Sequence, residues 1–240
     1  MLSFGQVLLM RPNHEQARVA LEEYYQRGEV YQAPVATILS PVYELHGQWD
    51  ELIACLQLLA RVSPTVEERV EHYEHAAKVF LSELGDTDAA FDHHAQALHL
   101  APGHESARAQ LYLISDSQGA WPKLVRLYEE ILPSTGQGEE PLRLDYLYTI
   151  AGMYATKLRE YERAEQYYYQ ILEIKASEMR ALDELEGLYE STRRWDDLLG
   201  ILDSKMAQTT EQGALLSLQF RKVEVYRDFL EDLPRAISVL

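Results

Sequence analysis

Six of the eight histidines lie between positions 72 and 104, and imidazole nitrogens are common zinc ligands. His72 and His75 are three residues apart, so on a helix both would lie on one face and supply two ligands. The spacing is not the H-E-x-x-H pattern of zinc hydrolases, and the single cysteine, Cys55, is distant in the sequence. We therefore predict no metal site and no cofactor, and we interpret these histidines as neutral groove or surface residues.

Acidic residues often occur as adjacent pairs, for example Glu129-Glu130 and Asp196-Asp197. Glycosidase chemistry requires two carboxylates that face each other across a pocket, whereas adjacent residues of a helix point in different directions. The pairs therefore indicate a solvated acidic face. We predict no catalytic residue and interpret the chain as not an enzyme. A helical-toroid hydrolase that uses acids and histidines is the least favoured alternative.

The charge balance restricts the classes of partner. Asp and Glu number 39 against 22 Lys and Arg, a net charge of −17. Nucleic acids and anionic membranes are bound by clustered cations, so we expect no nucleic-acid partner and no membrane partner. The sequence has neither an apolar run of about 20 residues nor a signal-peptide pattern. With one cysteine, it predicts a soluble, cytoplasmic protein.

The elements that carry these residues repeat along the chain. Residues 148–177 contain two amphipathic helical patterns separated by a short polar break. A shift of 74 positions superimposes Ala90 on Ala164 and Trp121 on Trp195. A fixed period of this size predicts stacked helical repeats, so each unit buries its apolar face against its neighbours.

Several further features of the sequence fit this pattern. The motif W-x-x-L begins at Trp49, Trp121 and Trp195, and long helices are predicted over 66–84, 142–158 and 215–230. The first repeat is longer than the later ones because it contains an insert, and this insert includes Ser40-Pro41. Serine is a good N-cap and proline suits the first helical position, so we predict two short helices here. The chain is expected to begin and end inside repeats.

These helix pairs resemble tetratricopeptide repeats. The residues that carry the resemblance are Gly152 through Ala164, then Tyr168, Ile171 and Ala176, and again Gly85 through Ala90, Ala97 and Pro102. The alternate pairs depart from the family pattern, because Leu52, Leu124 and Leu198 stand where the family has a small alanine. The resemblance implies an all-α fold, a right-handed α-solenoid of antiparallel helix pairs. We predict a single solenoid over 1–240, with repeat blocks at about 1–62, 64–135 and 139–208 and a partial block at 212–240.

The family binds peptides or protein faces in a concave groove lined by the first helix of each pair. The resemblance therefore implies a non-catalytic scaffold whose protein or peptide partner has a basic or mixed face. A structural, self-associating spacer within a larger protein remains an alternative. By register, the implied groove residues are His72, His75, Val79, Ser82, Tyr146, Thr149, Met153, Thr156, Arg180 and Asp183.

Overall fold

The computed structural model describes residues 2–27, 29–136, 138 and 140–239. Over these ranges the chain forms fourteen α-helices and no strand, which confirms the prediction of an all-α helical repeat. The chain divides into two compact units, residues 1–127 and 128–240, and the division falls within one helix. The prediction of a single solenoid with the repeat blocks given above stays a prediction.

In the first unit each helix from α1 to α6 packs against the next one along the chain. Its core contains fully buried leucines, among them Leu21, Leu39 and Leu52. The helices are α1 Leu2–Met10, α2 Glu15–Gln26, α3 Glu29–His46, α4 Trp49–Val62, α5 Val66–Val79, α6 Thr87–Leu100, α7 Glu105–Gln118 and α8 Trp121–Ile131, whose last residues belong to the second unit.

The second unit follows the same order, with each helix packed on its successor. Its core is built around large buried residues such as Tyr146, Tyr154 and Tyr189. Its remaining helices are α9 Glu140–Met153, α10 Tyr161–Ile174, α11 Met179–Ser191, α12 Trp195–Gln208, α13 Gln212–Glu224 and α14 Leu233–Val239.

The three predicted long helices are present, and each ends in a single π-helical segment. The segments are Phe80–Leu84 after α5, Tyr154–Leu158 after α9 and Val225–Phe229 after α13. A π-helical segment widens the end of a helix and changes the direction of its last side chains. This feature has no recognisable pattern in the sequence.

Left-handed backbone positions also repeat with the period of 74. Gly85 and Gly119 have φ of 67° and end their helical segments, and Arg159 and Arg193 occupy the corresponding places with φ of 58°. Glycine adopts this conformation without a steric cost, whereas arginine does so at some cost in free energy. The left-handed conformation therefore occurs at equivalent positions of both units, although the second unit has arginine where the first has glycine.

The insert does not form the two short helices predicted around Ser40-Pro41. It is one continuous helix, α3, which contains both Pro34 and Pro41. The Ser40 hydroxyl does not act as an N-cap but donates to the Ala36 carbonyl at 2.7 Å. Both prolines are exposed, so only backbone hydrogen bonds on the solvent side are lost. The opposite side, which includes the buried Val35 and Leu39, packs in the core and keeps the helix intact.

Replacing Pro41 by alanine should therefore stabilise the first unit. Alanine restores a hydrogen bond inside a helix and removes a ring clash, an effect of up to about 3 kcal/mol. Urea denaturation followed by tryptophan fluorescence measures the change. Pro122→Ala is the control, because Pro122 is the second residue of α8, where proline costs little. Equal, negligible effects of both substitutions would contradict a continuous α3.

Candidate functional site

A groove of the first unit lies between α5, α6 and α7. Its volume is about 570 Å³, within the range of ligand-binding clefts in proteins. Helix α5 and the π-helical segment that follows it form one wall, α7 forms the other, and α6 supplies the floor. The lining residues are Glu74, His75, Lys78, Leu81, His94, Ser106 and Gln110.

The floor of the groove carries a buried imidazole. His94 is only 5% exposed, and its Nδ1 atom has no hydrogen-bond partner among the described residues. Burial lowers the pKa of His94 below its ordinary value, although the nearby Glu74 opposes this shift. The side chain is therefore neutral at pH 7, and its buried Nδ1 atom has no hydrogen bond within the described part of the chain.

Glu74, in the α5 wall, has a carboxylate oxygen in a similar situation. Its Oε1 atom is buried and accepts no hydrogen bond from the described residues. The Nδ1 atom of His104 lies 3.5 Å from this oxygen. However, the same Nδ1 accepts the backbone N–H of Ala107 at 3.3 Å as the N-cap of α7. It therefore carries no proton to donate, and the Glu74 oxygen keeps its acceptor capacity.

Three other histidines between positions 72 and 104 lie elsewhere or have partners within the chain. His75 lies 3.1 Å from Glu44 through its Nε2 atom, and His93 contacts the Ala89 carbonyl at 2.8 Å. His72 is half-buried, which lowers its pKa. Over the ranges that the structure describes, no three His, Cys, Asp or Glu side chains are grouped so that they could hold a metal ion.

The second unit has a smaller groove at the equivalent place, between the π-helical segment after α9 and helices α10 and α11. Its volume is about 280 Å³. A shift of 74 residues relates three pairs of lining residues: Leu81 and Ala155, His94 and Tyr168, Gln110 and Glu184. Here the floor residue is satisfied within the chain, because the Tyr168 hydroxyl donates to Glu184 at 3.4 Å.

The ten predicted groove residues fall into three groups. Val79, Tyr146 and Met153 are buried in the core, so their assignment to a partner-binding face is wrong for these side chains. His75 lines the first groove, and Thr156 and Asp183 line the second. His72, Ser82, Thr149 and Arg180 lie outside both sets of lining residues and are at least partly exposed.

The predicted groove face of α5 is slightly rotated about the helix axis relative to the face that lines the groove in the structure. The wall of α5 is formed by Glu74, His75 and Lys78, not by the face that contains Val79. Positions 79 and 153 correspond in register and are both apolar, which is typical of a core position. The apolar residue at both positions was the feature of the sequence that indicated burial. The sequence did not indicate His94, Ser106 or Gln110, because they come from the neighbouring helices α6 and α7.

No helix within the described ranges is long and apolar enough to cross a bilayer. A comparison with curated protein sequences found no match. The sequence model of the tetratricopeptide repeat matches residues 181–214, which include most of α11, all of α12 and the start of α13. This is one of the pairs that carry leucine in place of the family's small alanine.

Several solved structures are similar in fold. MamA has 15% identity, covers 71% of this chain and 94% of its own, and has a TM-score of 0.40. BtubC from P. vanneervenii has 15% identity, 93% and 84% coverage and a TM-score of 0.35. The TPR2AB domain of yeast Sti1, in a complex with pHSP90, has 12% identity, 98% and 96% coverage and a TM-score of 0.33.

At these TM-scores the neighbours carry no argument about function. The match over residues 181–214 and the repeated helix pairs of the chain itself support the resemblance to this family. The resemblance stated from the sequence is thereby confirmed: the fold is a tetratricopeptide-like helical repeat.

Proposed function

We propose that this chain is a non-catalytic protein-interaction scaffold of the cytoplasm, and that the groove between α5, α6 and α7 receives an extended segment of a partner protein. The observation that carries the proposal is the groove itself, about 570 Å³ in volume, whose lining includes the partly exposed carboxylate of Glu74. A carboxylate in such a groove is a strong hydrogen-bond acceptor for a bound segment.

The remaining lining residues suit a peptide. Ser106 and Gln110 supply hydroxyl and amide groups that can bond to a peptide backbone, and Leu81 supplies an apolar contact. Helices packed in sequence hold these groups in place before binding, so the scaffold loses little conformational entropy.

The net charge of −17 favours a partner with a basic or mixed face. Association with such a partner weakens with ionic strength, because salt screens exposed charges over a Debye length of about 10 Å at 0.1 M. We therefore expect the affinity to fall severalfold between low and high salt.

The experiment is a selection from a randomised heptapeptide library on the full 240-residue chain. Peptides that bind should lose at least about tenfold in affinity when Ser106→Trp fills the groove, which corresponds to ~1.4 kcal/mol. Ser117→Trp places the same bulk on α7 away from the lining residues and should have little effect. Equal affinity for the Ser106→Trp and wild-type proteins would contradict binding in this groove.

Self-association is a second candidate function, supported by apolar side chains at the surface of the second unit. Phe220 on α13 is 58% exposed, and Ile237 on α14 is 71% exposed. Exposed apolar surface of this kind favours contact with another protein chain. Light scattering over a range of concentrations tests this function: a mass that rises with concentration, and that Phe220→Ser reduces, would support it, whereas a constant monomer mass would exclude it.

A further inference from the structure

The lining of the first groove suits a positively charged side chain. Glu74 places a carboxylate that is 25% exposed in the wall, and the floor residue His94 is buried and neutral, so it adds no competing positive charge. An ammonium or guanidinium group carries several N–H donors and a charge that complements the carboxylate. The only cation among the lining residues is Lys78, which is exposed and has a flexible stem.

The second unit supplies such a cation from its own chain. By the shift of 74, Tyr148 corresponds to Glu74 and Arg180 corresponds to Ser106. The Arg180 guanidinium lies 4.1 Å from the centroid of the Tyr148 ring. The first unit has a carboxylate and a serine at these two places, so Arg180 has no counterpart there at the same register.

We propose that the groove of the first unit binds a lysine or arginine side chain of the partner segment, whose charged group pairs with the partly exposed Glu74 carboxylate above the neutral His94. The aliphatic stem of that side chain would pack on Leu81, as the stems of long basic side chains do on apolar surface. This inference rests on the proposed function, because it names the chemistry that the same groove selects.

Two charged residues of α5 test the proposal, because their substitutions should change the affinity in opposite directions. Glu74→Gln preserves the size of the side chain but removes the charge, so binding of a basic side chain should weaken about tenfold or more. Lys78→Gln removes a like charge from the wall, so binding should strengthen. Glu71→Gln is the matched control, since Glu71 is exposed on the same helix and does not line the groove.

The probes are four heptapeptide libraries with a fixed central residue and random flanks. The central residue is lysine, arginine, norleucine or citrulline, the last two being uncharged counterparts of the first two. We expect immobilised wild-type protein to retain at least one basic library about tenfold better than its uncharged counterpart. This preference should disappear in Glu74→Gln, increase in Lys78→Gln and persist in Glu71→Gln.

The outcomes separate this inference from the proposed function. If Ser106→Trp abolishes retention, two results would overturn the basic side chain and leave groove binding intact. The first is equal retention of charged and uncharged central residues, and the second is retention that Glu74→Gln leaves unchanged. Failure of every library to bind, or binding that Ser106→Trp leaves unaltered, would overturn both. Circular dichroism and the thermal unfolding midpoint of each variant show whether its fold is preserved.

Discussion

Replacing Leu198 by alanine should lower the free energy of unfolding of the second unit by about 2–5 kcal/mol, the usual range for a buried leucine. Leu198 is fully buried on α12, in the helix pair that matches the tetratricopeptide repeat model. The family has a small alanine at this position, so a comparison based only on the family pattern would expect the substitution to be neutral or stabilising. The structure predicts the opposite, because alanine would leave a cavity.

The control for this prediction is Leu216→Ala, which makes the same chemical change at a residue that is 47% exposed on α13. It should cost much less, since less apolar surface is lost and no closed cavity forms. Chemical denaturation of both variants provides the measurement. A Leu198→Ala protein as stable as the wild type would mean that the α12 leucine does not fill the space between its neighbours.

The reverse substitution, Ala164→Leu, should also destabilise the second unit, by about 1–3 kcal/mol. Ala164 is fully buried on α10, which packs against α9, and Ala90 at the same register of the first unit is equally buried. A larger side chain there has no space and would push α10 away from its neighbour. The two helix-pair types therefore require opposite residue sizes at the same register.

Ala207→Leu is the matched control, because Ala207 is exposed on α12. The added methylene groups would extend into solvent there, so the unfolding midpoint should change little. Thermal and urea denaturation of the pair distinguish overpacking from a general effect of adding leucine. A fully stable Ala164→Leu variant would contradict close packing of α9 against α10.

Helix positions and core residues were largely predictable from this sequence. The period of 74 and the apolar spacing located the long helices, and Leu52, Leu124 and Leu198 of the W-x-x-L motifs are all fully buried. Such predictions depend on local patterns of burial, which leave a direct record in the order of apolar residues. Cys55, which lies in the apolar stretch of α4, is buried for the same reason, and burial raises its pKa to about 11.

The continuous α3 and the composition of the groove could not be predicted in the same way. Proline breaks most helices, but around Pro41 the packing of Leu39 and its neighbours outweighs the lost hydrogen bond. The groove combines side chains from three helices, and a rotation of one residue exchanges Val79 for Lys78 at its wall. Positions of this kind depend on tertiary packing, which the sequence pattern of a single helix does not specify.

Photo-crosslinking of a library-selected peptide tests the central claim most directly. p-Benzoylphenylalanine replaces Leu81 in the groove wall, and in a second protein it replaces Leu45, which is 64% exposed and outside the groove. We predict that the peptide crosslinks to position 81, that Ser106→Trp suppresses this crosslink, and that position 45 gives none. Crosslinking at position 45 alone, or at both positions regardless of Ser106→Trp, would contradict a partner segment bound between α5, α6 and α7.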